Sequence, residues 1–78
     1  MNVVYIPHAE DQMRKREIPE SEVLDTLERP DREYAGKLGR TIAERVFECR
    51  RLAIKVVYNV DSEGTRIIVT VMRGRPRN

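Results

Sequence analysis

The stretch "LAIKVVYNVDSEGTRIIVTVMR", residues 52–73, sets the architecture of this 78-residue chain. Two β-branched runs flank "DSEG", a turn signal, so the segment reads as a β-hairpin. In the first run Leu52, Ile54, Val56, Tyr58 and Val60 alternate with Ala53, Lys55, Val57 and Asn59; in the second, Ile67, Val69 and Val71 alternate with Arg66, Ile68, Thr70 and Met72. Side chains on a strand point alternately to opposite faces, so one face of the hairpin is aliphatic and needs a helical layer to cover it. The other presents Lys55, Asn59, Arg66 and Thr70, a semi-polar surface on which a ligand can lie.

Working outward, the amino-terminal half supplies the helices. From about Pro7 to Arg16 no residue is β-branched or glycine, and Ala9 and Met13 share one helical face. Pro19 suits the first position of a second helix, Glu20 and Glu22 favour the positive end of its dipole, Val23, Leu24 and Leu27 form its apolar stripe, and Pro30 ends it. The two helices meet at "REIP", residues 16–19, in a corner. Between helices and hairpin, "REYAG" and "TIAERVFECR" supply further strands; "NVVYI", residues 2–6, is either a brief strand or an extended arm. The expected fold is α+β, two amino-terminal helices on an antiparallel sheet of about four strands, forming one domain over residues 1–73 with a basic tail at 74–78.

The charge is unevenly divided. Residues 1–36 carry five basic and nine acidic side chains, −4, whereas residues 37–78 carry ten and four, +6, giving the net +2. A positive second half suits a phosphate-rich partner, although a mixed charged surface also serves solubility alone. No apolar run approaches the length of a membrane span, and the amino terminus has no signal-peptide pattern, which points to a cytoplasmic location. Cys49 is the lone cysteine and His8 the lone histidine, so neither an internal disulfide nor a structural metal site is expected. Cofactor motifs, glycine-rich phosphate loops and nucleophile elbows are absent from the sequence.

Candidate chemistry centres on His8. RNA cleavage needs a base for the 2′-hydroxyl, cations around the phosphate and an acid for the leaving 5′ oxygen, and imidazole suits either proton-transfer role. Single histidines are more often surface or capping residues. Arg16 follows Met13 toward the core side, where it either pairs with a carboxylate of the second helix or reaches a functional surface. Lys55 and Thr70 are opposite-strand candidates for phosphate contact. Arg50, Arg51, Arg73, Arg75 and Arg77 form a basic end suited to sequence-independent phosphate binding, while the few aromatic residues argue against extensive base stacking.

The stretches "HAEDQMRKREIPESEVLDTLERP", "GRTIAERV", "LAIKVVYNV" and "RIIVTVMRG" together resemble the bacterial DUF4258 domains, over nearly the whole chain. That family is grouped with the RelE/ParE-like toxins, which share two helices packed on a curved antiparallel sheet. The resemblance implies an endoribonuclease-like toxin domain, often with an antitoxin protein as partner; RNA or the ribosome is the expected target, and no metal, cofactor or membrane is expected. It implies functional residues at His8, Arg14 or Arg16, and Thr70. The final strand carries Met72 where relatives often have an aromatic residue. The resulting expectation has His8, Arg16 and Thr70 at the catalytic centre and Arg14, Lys55, Arg66 and Arg73 binding RNA, with the "REIP" corner setting His8 against the exposed sheet face. The alternatives are a non-catalytic protein- or nucleic-acid-binding module and a ParE-like inhibitor of a protein target.

Overall fold

The structure, a computed structural model, describes residues 2–47 and 52–75. The elements run β1 (Val3–Tyr5), α1 (Pro7–Lys15), α2 (Glu20–Glu28), β2 (Arg32–Ala35), a short 3-10 turn (Lys37–Gly39), β3 (Thr41–Phe47), β4 (Leu52–Val60) and β5 (Arg66–Gly74). The sheet has five strands rather than about four, in the order β1-β5-β4-β3-β2. Val3–Tyr5 of "NVVYI" is an edge strand that pairs parallel with β5, while every other pairing is antiparallel. The fold is therefore α+β with two helices on a mixed sheet. Strand β5 runs to Gly74, one residue past the expected boundary of the domain. Cys49, Arg50, Arg51 and Arg77 lie outside the described residues.

Helix α1 begins with Pro7 in its first turn, and Glu10 near its start and Arg14 and Lys15 near its end match the dipole. It stops in a Schellman arrangement: Ile18 N–H donates to the Met13 carbonyl at 2.9 Å and Glu17 N–H to that of Arg14 at 3.3 Å. Glu17 occupies the left-handed position, φ 53°, that glycine usually takes. The "REIP" corner is thus a helix stop. Pro19 is extended and immediately precedes α2 rather than opening it. The last turn of α2 contains no basic residue. Instead Arg45 from β3 donates to the Arg29 carbonyl at 2.7 Å and Arg66 from β5 to that of Leu27 at 3.1 Å.

Both helices cover the same face of the sheet. Ala9, Ile18, Val23 and Leu27 meet Ala43, Ile54, Val56, Tyr58, Ile68 and Val71 in one buried cluster. Strand β4 keeps the expected alternation; β5 does not. Val57 pairs with Thr70 but Tyr58 pairs with Ile68, so Val69 is an extra residue in a β-bulge. The bulge shifts the phase by one, so that Ile68 and Val71 both enter the core. Ile67, expected inward, therefore stands on the helix-free face, and Arg66, expected on that face, turns under the helices with its guanidinium 5.3 Å from the centre of the Tyr58 ring. The β4–β5 turn is fixed by Asp61, whose Oδ1 accepts N–H groups from Glu63 and Thr65, and by Gly64 at φ 82°.

Candidate nucleic-acid interface

The helix-free face is organised as two neighbouring cross-strand rows. The first is Tyr34–Ile42–Val57–Thr70, one residue from each of β2, β3, β4 and β5. It has an apolar middle and a hydroxyl at either end, and at about 4.8 Å per strand it spans roughly 14 Å. The second is Arg32–Glu44–Lys55–Met72, in the same strand order.

The loop after β2 folds over the first row. Gly36 donates to the Arg40 carbonyl at 2.8 Å, closing the loop, and sits so close to Ile42 that a methyl group there would lie 3.1 Å from its side chain. Lys37 and Arg40 consequently line, with Tyr34, Ile42, Val57 and Thr70, an open cavity of about 570 Å³. That volume falls in the range of small-ligand sites. Its chemistry is an apolar floor, two hydroxyls and two cations at the rim.

Beside it, Glu44 is only 1% exposed although it faces away from the helices. A buried carboxylate needs hydrogen bonds and a counter-charge. The Tyr34 hydroxyl donates to Glu44 Oε1 at 3.4 Å, and Lys55 Nζ lies 3.9 Å from the same oxygen. Glu44 thereby ties one end of the first row and the cation of the second into a single cluster. Nothing in the sequence singled out Glu44, Tyr34, Lys37 or Arg40; the alternation of "TIAERV" was the available signal, since it puts Glu44 in phase with Ile42.

The candidate residues divide between the two faces. Lys55 and Thr70, the candidates for phosphate contact, are diagonal neighbours on the helix-free face. His8 does not line the cavity over the first row: it is exposed in the first turn of α1, beside Ala9, which is packed into the core. Ala9, Met13 and Ile18 bury on the aliphatic face and hold α1 there, with Lys55 and Thr70 on the other face of the sheet.

Three of the arginines serve the fold on the helix side. Arg16 donates to the Val71 carbonyl at 3.3 Å, satisfying a backbone group of β5, and Arg73 donates to the Glu17 carbonyl at 3.0 Å. Together they tie the α1–α2 corner to the last strand. Arg66 caps α2 as described. Arg14 is exposed and paired with Asp11, and it borders a second cavity, about 380 Å³, with Tyr5, Met13, Ile18 and Glu20.

Two phenols are perturbed, both on the helix side. Tyr5 is pushed well above the usual range, first by burial and then by Glu20, toward which its hydroxyl points without closing a good hydrogen bond. Tyr58 is also raised, chiefly by burial and then by its 2.9 Å hydrogen bond to Glu33 and that carboxylate's charge, with Arg66 opposing.

Among the described residues, no helix is long and apolar enough to cross a membrane. Comparison with curated proteins and with solved structures gives no match. A family model described as "Domain of unknown function (DUF4258)" matches residues 5–73, and the chain therefore belongs to the DUF4258 family.

Proposed function

We propose that this domain is a nucleic-acid-binding module of the RelE/ParE-like toxin group, which holds single-stranded RNA across its helix-free face. The observation that carries the proposal is the cavity over the Tyr34–Thr70 row, where Lys37 and Arg40 meet two hydroxyls on an apolar floor, with Lys55 alongside. Cations at a rim engage phosphates, hydroxyls engage phosphate or ribose oxygens, and an apolar floor accepts a base edge or sugar. Kinship with the RelE/ParE-like toxins is supported by the element order, a short strand and two helices followed by an antiparallel series of strands. An antitoxin protein would be the companion partner in such a system.

The test is fluorescence anisotropy of a labelled single-stranded RNA titrated with the protein over a series of salt concentrations. Lys37→Gln and Arg40→Gln should each weaken binding to all sequences and lower the salt slope by about 1. Binding that ignores both substitutions would overturn the proposal. The same mixtures report cleavage: strand scission by the wild type that disappears in His8→Ala would favour the endoribonuclease reading, with its chemistry on the helix side.

A further inference from the structure

The loop that roofs the cavity carries a feature that the binding of phosphates does not explain. Leu38, at its tip, is 84% exposed and stands in the left-handed region, φ 59° and ψ 34°. Residues with a Cβ are disfavoured there because the Cβ crowds the following carbonyl, and leucine has no polar side-chain atom with which to make a local compensating hydrogen bond. Gly39 follows at φ 73°. The loop is closed by the Gly36–Arg40 hydrogen bond and by Arg40 N–H donating to the Lys37 carbonyl at 3.2 Å, and its base is pressed onto Ile42. It is therefore held in shape with an apolar side chain aimed into solvent.

A lone exposed apolar residue is ordinary on a protein surface, but Leu38 is far more exposed than Val4 or Val60 and is also held in a strained backbone. The flanking residues indicate what it meets. Lys37 and Arg40 stand on either side of the Leu38–Gly39 tip and also line the cavity, so an apolar projection is bracketed by two cations. A single strand of RNA offers the complement, phosphates at regular intervals with apolar base faces between them. Apolar side chains such as leucine do act as wedges between bases when neighbouring cations hold the backbone.

We propose that Leu38 is such a wedge: it inserts between two adjacent bases of single-stranded RNA while Lys37 and Arg40 hold the phosphates, displacing one base toward the cavity floored by Ile42 and Val57. This rests on the RNA-binding reading above and adds to it the element that parts the bases.

Leu38→Gly and Leu38→Asn separate the wedge from the fold, because both residues tolerate positive φ. Their thermal midpoints should equal or exceed that of the wild type. Their affinity for a single-stranded RNA containing 2-aminopurine should nevertheless fall about tenfold, equivalent to about 1.4 kcal/mol. The rise in 2-aminopurine fluorescence that unstacking produces with the wild type should vanish. Variants that bind with wild-type affinity and give the same fluorescence rise overturn the wedge, and loss of a protein contact in their place would assign Leu38 to that partner instead. A wild type that binds no RNA at all, by contrast, defeats the RNA reading itself and the wedge with it.

Discussion

Replacing Lys55 by methionine tests whether Glu44 is held in the sheet by its cation. Methionine keeps most of the packing of the lysine stem while deleting the ammonium, 3.9 Å from Glu44 Oε1. At that distance, with an effective dielectric constant of about 20, the attraction is about 4 kcal/mol. Part of this is offset, because the Lys55 side chain is itself only 24% exposed and its removal relieves the desolvation of a charge. Glu44 stays 1% exposed and keeps its long hydrogen bond from Tyr34. The net destabilisation should be about 2–3 kcal/mol, a fall of roughly 10–20 °C in thermal midpoint for a domain of this size. Urea denaturation followed by circular dichroism gives the number. A double-mutant cycle with Glu44→Leu gives the coupling, and the pair Lys55→Met/Glu44→Leu should be more stable than the single variants predict by at least about 1 kcal/mol. If Lys55→Met lies within about 0.5 kcal/mol of the wild type, or if the two substitutions simply add, then the lysine does not stabilise the buried carboxylate. The double variant has a functional use as well, since it removes a cation from the helix-free face while leaving no buried charge behind, and it should bind RNA more weakly than the wild type.

Further outcomes follow from the helix side. Glu17→Gly, at the left-handed residue that ends α1, should stabilise the domain by about 0.5–1 kcal/mol despite adding freedom to the unfolded chain, measured by the same denaturation. Arg66→Ala removes both the cap on the Leu27 carbonyl and the cation over Tyr58, and should cost about 1–2 kcal/mol. The phenols of Tyr5 and Tyr58 have pKa values raised above 10.0 in the folded state, so the stability they contribute is fully present below pH 10 and is lost as pH rises beyond it toward the raised values. Alkaline unfolding should accordingly be shallower in Tyr5→Phe and Tyr58→Phe than in the wild type.

Much of this architecture is legible in local pattern. Pro7 and Pro30 bound the helical region, and Asp61 with Gly64 makes the β4–β5 turn. The alternation of β4 places Ile54, Val56 and Tyr58 in the core as expected. These features depend on neighbours a few positions apart, and local sterics and hydrogen bonding decide them. The inward face of β5 was not legible, because a bulge at Val69 inside the uniformly β-branched run "IIV" leaves no glycine or polar residue to mark it, and one extra residue reverses the face of everything on one side of it.

That phase shift is what carried Arg66 from the candidate RNA face to the end of α2. The fifth strand was open between two readings: residues 2–6 suit a brief strand or an extended arm, and the edge of β5 makes Val3–Tyr5 a strand. The α+β class, the helical corner and the positively charged second half follow from short-range periodicity and composition, and so are legible in the chain alone. Which residues share a surface depends on packing between elements far apart in the chain. Packing Ala9, Met13 and Ile18 onto the aliphatic face put α1 on one side of the sheet. Lys37, Arg40, Lys55 and Thr70 stand on the other, because a sheet separates by its own thickness any two residues whose elements bury against opposite faces.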